Sequence, residues 1–279
     1  MARDVDTCSG IDGRSAGTTV TGVVNGVPGH TYSPAFYEQQ IDGSIRSARR
    51  VLPHVIDIVS PKSIVDVGCG VGTWLAAARE LGIEDVLGVD GAYVDRRMLR
   101  IPQECFHVAD LTQPLSIGRT FDVALCLEVG EHLPMHAADQ LVSSLTRLAP
   151  AVLYSAAIPR QGGENHINEQ WQTWWVERFR CHGYFAVDCI RPRIWNDNQV
   201  EWWYVQNTLL MVNEDTLRAS PALTAELQRS TGMYALVHPR AYLNRLEAAD
   251  TLRPRGLREW AAAGPSLAAA TLRRLISRR

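Results

Sequence analysis

Between Ser63 and Trp74 the chain reads Ser63-Ile64-Val65-Asp66-Val67-Gly68-Cys69-Gly70-Val71-Gly72-Thr73-Trp74, and no other stretch narrows the possible folds as much. An apolar run ends in an acid, a glycine-rich turn follows, and an amphipathic pattern begins. That order predicts a buried strand passing into a loop and a helix N-terminus. Glycines let the backbone take positive φ and approach a ligand closely. The start of the helix presents N–H groups without intrahelical partners to a polar or anionic group. A loop of this kind suits a nucleotide-like cofactor. The dinucleotide fingerprint requires a third glycine three places after the second. Thr73 stands there, and the glycine comes at Gly72 instead, which argues against a nicotinamide cofactor.

Downstream features follow the same plan. Asp90 ends the next apolar run, Asp85-Val86-Leu87-Gly88-Val89-Asp90, where an acid can accept from both hydroxyls of a ribose. Asp110 follows a short third strand, Cys105-Phe106-His107-Val108, and Glu128 ends a fourth, Phe121 to Leu127. The D-x-G-x-G-x-G form resembles motif I of the class I S-adenosylmethionine (SAM) methyltransferases. The resemblance implies that Asp66, Gly68, Gly70, Gly72 and Asp90 form the cofactor site, that Asp110 holds the adenine amino group, and that Glu128 approaches the cofactor. It also implies an α/β, doubly wound, seven-stranded Rossmann-like sheet of order 3-2-1-4-5-7-6 with its last strand antiparallel. A helical lid would precede that sheet and a helical extension would follow it.

The 279 residues fit one large α/β domain with additions. Residues 1–30, rich in Gly, Thr and Ser without a sustained period, are expected as a mobile arm. Residues 31–212 are expected to form the methyltransferase domain. It opens with a helix over 31–60 that caps the cofactor cleft, and Tyr32, Phe36 and Tyr37 are candidates to line the site. Further helices are expected over 73–82, 93–99, 136–148 and 168–183, and strands five to seven over 151–157, 184–190 and 208–212. From 213 to 279 the pattern is helical with breaks at Pro221, Pro239, Pro254 and Pro265. Its last part, from Leu252, carries seven arginines against Glu259, the composition of a solvated basic tail.

A net charge of −2 gives no global basis for nucleic-acid binding, so no nucleic-acid partner is expected. No run approaches a transmembrane span and the N-terminal stretch lacks a signal-peptide apolar core. The six cysteines include no C-x-x-C pair, and Cys69, Cys126 and Cys189 stand in apolar contexts suited to buried thiols. A cytoplasmic location is the expectation from these features.

SAM carries an already activated methyl group, so the protein must align an acceptor and supply an electron-rich atom. An amine needs little further help, whereas an aliphatic hydroxyl needs a base or a metal. In Leu127-Glu128-Val129-Gly130-Glu131-His132-Leu133-Pro134, the residues Glu128, Glu131 and His132 stand at i, i+3 and i+4. One compact turn would put all three on one face. The E-x-x-E-H pattern resembles two metal-dependent O-methyltransferase families, one of ubiquinone biosynthesis and one acting on the terminal ribose 2′-hydroxyl of small RNAs. That likeness implies a Mg²⁺ or Mn²⁺ ion held by Glu128, Glu131, His132 and His166. The same pattern also occurs in methyltransferases with no known metal, where His132 would be a base or an orienting group. A purely structural triad is the third reading.

The acceptor pocket is expected from Arg160 to His166, Glu169 to Trp175, and the two runs before strand seven. Trp rings beside Asn, Gln and Glu suit a sugar ring, while Trp174, Trp175 and Trp203 taken singly suit helix–sheet packing. D-G-x-Y-V-D at Asp90, E-V-x-E-H-L-P, I-P-x-Q-G-G, H-x-N-E-Q-W and W-Y-x-Q-N are similar to a group of bacterial methyltransferases found with polysaccharide and secondary-metabolite genes. The resemblance implies an O-methyltransferase acting on a hydroxyl of a sugar or glycan-like small molecule, with catalytic candidates His132, Glu131 and His166. The alternatives are N-methylation of an amino sugar and a non-catalytic SAM-binding or partner-binding protein.

Overall fold

The computed structural model describes residues 34–251. The arm expected over 1–30, Tyr32, the side chains of Phe36 and Tyr37, and the basic stretch from Leu252 lie outside the described residues. The chain divides into two compact units, Met1–Leu236 and Val237–Arg279.

In the first unit, helix α1 (Pro34–Val59) leads into β1 (Ser63–Val67), α2 (Thr73–Glu80), β2 (Asp85–Asp90), β3 (Phe106–Val108) and β4 (Val123–Leu127). Then come α3 (Ala138–Leu148), β5 (Ala151–Ser155), α4 (Gln172–Cys181), β6 (Tyr184–Val187), α5 (Arg191–Ile194), α6 (Trp202–Asn207) and β7 (Leu209–Asn213). The seven strands form one sheet of order β3-β2-β1-β4-β5-β7-β6. β1 pairs in parallel with β2 and with β4, and β7 runs antiparallel to both β5 and β6.

Strand periodicity sorts the core into two layers. Ile64, Val123, Leu125, Ala151, Leu153, Leu210 and Val212 face the layer of α1 and α2. Val65, Val67, Ala124, Cys126, Val152, Tyr154 and Met211 face the layer of α3 and α4. α1 enters its layer through Ala48, Val51, Leu52 and Val55, at helical spacing and fully buried. α3 enters the other through Leu141, Val142, Leu145 and Leu148. Trp175 is buried in the second layer, Trp174 packs against it, and Trp203 packs against the first. Cys69, Cys126 and Cys189 are buried free thiols.

Several element ends differ from the periodicity, each for a local reason. The helix expected over 93–99 is a single helical turn, Arg96–Met98, capped by the Asp95 side chain. It stops because the Arg100 amide donates to the Val71 carbonyl (2.8 Å), tying the chain back onto the glycine loop. α4 begins four residues later than expected because Asn168 N–H donates to Glu131 O and Gln170 N–H to Ala157 O. β6 ends at Val187 because Asp188 turns to pair with Arg191.

After β7 the first unit continues through α7 (Glu214–Ala219) and α8 (Pro221–Arg229). Asn213 and Ser220 cap them through side-chain oxygens that accept from Thr216 and Leu223 amides, and Leu217 and Leu223 join the α1 core layer. The described part of the second unit forms α9 (Pro239–Thr251). Among the described residues no helix is long and apolar enough to cross a membrane.

Leu125 sits fully buried on the central strand β4. Leu125→Ala is expected to lower the unfolding free energy by about 2–5 kcal/mol, read from urea denaturation.

Candidate active site

The carboxyl ends of β1, β2, β4 and β5 meet at one edge of the sheet, and both groups of candidate residues collect there. Gly68, Gly70 and Gly72 all have left-handed φ (85°, 54° and 82°). At Gly68 a Cβ would stand 2.3 Å from Val129 Cγ2, so a side chain is excluded by packing as well as by φ. At Gly70 a Cβ would meet nothing within 4 Å. At Gly70 the loop therefore turns bare backbone toward open space. Ser44 of α1 reaches the first residue of α2, Thr73, hydroxyl to hydroxyl at 2.9 Å.

Two acids stand behind this loop. Asp66 and Asp90 are each only 3% exposed. Asp90 Oδ2 accepts from Gly70 N–H at 2.6 Å and Oδ1 from Gly91 N–H at 2.6 Å, so the acid at the end of β2 fixes the loop leaving β1. Burial, with the charge of Asp90 second, pushes the Asp66 carboxyl up to about 8. Asp110 lies on the exposed side, just past β3, and its Oδ1 accepts from the Thr112 amide and hydroxyl (2.9 and 2.7 Å) in a local turn.

Beyond β4 the chain turns sharply. Glu128 has left-handed φ of 55°, uncommon for a residue with a side chain, and its amide donates to Ser155 O at 2.9 Å and Ser155 Oγ at 3.1 Å. That turn sends the Glu128 carboxylate into a cluster of amides. Oε2 accepts from Gln161 Nε2 (3.0 Å) and Oε1 from Asn207 Nδ2 (3.1 Å). Asn207 also donates to Gln161 Oε1 (2.9 Å), and Gln206 donates to the same oxygen (3.1 Å). Arg191, buried and paired with Asp188, donates to the Gln206 carbonyl (3.2 Å) and so holds that segment in place. Burial raises the Glu128 carboxyl above its ordinary range, while the hydrogen bonds from Asn207, Ser155 and Gln161 oppose the rise.

The next turn, Gly130–His132, carries Glu131 and His132. Glu131 is fully buried, and its carboxyl oxygens make no well-formed hydrogen bond, only weaker contacts with the backbone of Glu131 and Ala157 and the side chain of Glu128. Burial, then the neighbouring Glu128 charge, raises its carboxyl far above the usual range. Its backbone carbonyl accepts from the amides of Ile167 and Asn168 (2.9 and 3.0 Å), which brings the loop of His166 against it. His132 and His166 meet edge to face, ring centres 4.9 Å apart. Burial, with His166 second, lowers the His132 imidazole to about 4, so it is neutral near pH 7. Glu131, His132 and His166 each bring a ligand atom within 4.8 Å of the others. Glu128, the fourth member of the expected ligand set, stands outside that group, its oxygens taken by Gln161 and Asn207.

Glu169 orders the loop that carries His166. It accepts from Arg160 N–H (2.6 Å), Gly162 N–H (2.7 Å) and His166 Nδ1 (3.1 Å). A carboxylate acceptor places a proton on Nδ1 and fixes the orientation of the ring. Gly163 gives the imidazole its place, since a Cβ there would lie 2.3 Å from Nε2. His132 and His166 converging on the buried Glu131 carboxyl form a donor set that fits a divalent cation. The sequence patterns held Gln161, Glu169, Gln206 and Asn207, but nothing in their spacing assigned them to Glu128 or His166. Their only signal was polarity in segments of no apolar period.

Residues 37–188 match the model of a family described as a methyltransferase domain. Among solved structures, the chain is similar to the sugar N-methyltransferase KedS8 from Streptoalloteichus sp ATCC 53650. The TM-score is 0.52 at 16% identity, over 71% of this chain and 99% of that one. It is also similar to DesVI of Streptomyces venezuelae, with TM-score 0.47 and 14% identity over 66% of this chain and 100% of that one. The methyltransferase domain of bacterial CtHen1 gives TM-score 0.43 and 19% identity over 60% of this chain and 97% of that one. No curated protein matches the chain significantly.

The raised Asp66 carboxyl has a consequence for stability. The folded protein holds a proton there that the unfolded chain releases above pH 4, so this group's contribution falls from about pH 4 to about pH 8 and then levels off. Asp66→Asn should remove that fall. The stability gain of the variant over the native protein, measured by urea unfolding, should be larger at pH 8 than at pH 5.

Proposed function

The chain belongs to the methyltransferase-domain family, and from that premise we propose that it is a SAM-dependent O-methyltransferase acting on a hydroxyl of a sugar or glycan-like small molecule. The observation that carries the choice of a hydroxyl is the convergence of Glu131, His132 and His166 within 4.8 Å. An amine acceptor needs no metal, because its lone pair is nucleophilic once the ammonium form has lost a proton.

The glycine loop and Asp90 receive the cofactor in this reading. Gly70 leaves room for its close approach, and Asp90 supplies the carboxylate for the ribose hydroxyls. The acceptor hydroxyl releases its proton to water, an electron pair of its oxygen forms the bond to the methyl carbon, the C–S bond breaks, and S-adenosylhomocysteine leaves. A divalent cation held by Glu131, His132 and His166 would lower the pKa of an acceptor hydroxyl and orient it. The protein's own contribution is to keep those donors ready. His132 stays neutral, with its lone pair available, because burial and His166 disfavour its protonated form. Glu169 holds the His166 ring in place through Nδ1. Gln161 and Asn207 hold Glu128 beside Glu131, and its negative charge adds to the attraction for a cation. The polar loop from Arg160 to His166, with Trp171 exposed beyond it, offers a surface for a sugar ring.

Two measurements test this reading. Gly70→Val should abolish SAM binding in calorimetry, because the new side chain fills the space before the loop and is strained at a φ of 54°. Methyl transfer to a panel of sugar hydroxyls should fall on EDTA treatment and return with Mg²⁺ or Mn²⁺. His166→Ala and Glu131→Ala should each weaken Mn²⁺ binding by about 10-fold or more. Transfer to an amino sugar that is indifferent to EDTA would establish N-methylation instead.

A further inference from the structure

Asp90 is already engaged by a residue of its own loop. Besides the amides of Gly70 and Gly91, its carboxylate accepts a hydrogen bond from the Tyr93 hydroxyl at Oδ1. Each carboxylate oxygen offers about two acceptor positions. Oδ1 therefore has both of its positions occupied, and Oδ2 keeps one beside Gly70 N–H. A ribose that presents two adjacent hydroxyls to this acid needs two positions.

The seat of the Tyr93 ring is built into the backbone. A Cβ on Gly91 would stand 2.2 Å from Tyr93 Cε1 and 2.6 Å from Cδ1, so the ring lies where only a glycine leaves space. Gly91 is not among the glycines with left-handed φ, so its lack of a side chain serves the ring and not the turn. Tyr93 is nonetheless 75% exposed, whereas its neighbour Val94 is buried and the Val94 amide closes the turn onto Gly91 O at 3.3 Å. Rotation of the side chain alone would lift the phenol off Asp90 while the turn stays in place.

We propose that Tyr93 sets the affinity of the cofactor site by competing with the ribose for Asp90: its phenol holds the acid until the cofactor arrives, then swings out as the sugar hydroxyls replace it. The proposal rests on the reading of Asp90 as the ribose acceptor. Because only the swung-out fraction accepts both hydroxyls, the apparent dissociation constant is the intrinsic one divided by that fraction. The competing bond also keeps the buried carboxylate satisfied while no sugar is present.

The test is calorimetric titration of SAM and of S-adenosylhomocysteine into the full chain, the native protein beside Tyr93→Phe and Gly91→Ala. Tyr93→Phe deletes the competing hydroxyl and keeps the ring. Gly91→Ala pushes the ring from its seat at a backbone conformation that alanine tolerates. Both variants should bind about three- to tenfold more tightly than the native protein. Weaker binding by Tyr93→Phe would mean that the phenol contacts bound cofactor, and would overturn the proposal. Native binding with both variants unchanged would overturn it alone. Absence of binding by the native protein would overturn the cofactor reading, and this proposal with it.

Discussion

The parallel pairing of β1 with β2 on one side and β4 on the other is the constraint from which the site follows. Parallel strands end together, so the residues just past their last hydrogen bonds share one edge although they lie far apart in sequence. Asp66, opposite Gly88 near the end of β1, comes close to Asp90 at the end of β2 for this reason, and Glu128 and Ser155 meet across the ends of β4 and β5. The helices between the strands bury both faces of the sheet, and the acids of the site lie at this edge.

Burial at that edge gives each acid a different character. Asp90 accepts from two backbone amides and a phenol, whereas Asp66 has mostly low-dielectric surroundings and a charged neighbour, which raise its carboxyl to about 8. The second pair repeats the contrast. Glu128 accepts from Gln161 and Asn207, while both Glu131 oxygens are buried without a well-formed hydrogen bond. A buried carboxylate lacking partners is costly unless a proton or a cation joins it. His132 and His166 bring nitrogen donors to Glu131, a set whose chemistry suits a cation.

Much of the framework was legible in the chain. The apolar run to Asp66 and the glycines after it marked β1, its loop and the start of α2, because short-range sterics and burial period act within a few residues. Likewise the helix over 31–60 was expected, and Ala48, Val51, Leu52 and Val55 at helical spacing form its buried face. Element ends were less legible. The turn at Arg96–Met98 and the late start of α4 depend on backbone bonds to Val71, Glu131 and Ala157, partners far away in sequence.

What the sequence determined by itself was the set of chemical groups and the layered α/β plan, since composition and periodicity are local properties. Tertiary structure alone decided which groups meet. It joined Glu131 and His132 to His166 and set Glu128 apart among Gln161 and Asn207. It also placed Glu169 on His166 and Tyr93 on Asp90. Those pairings depend on how a left-handed turn at Glu128 and a glycine seat at Gly91 aim side chains, and such angles arise only once the strands have paired.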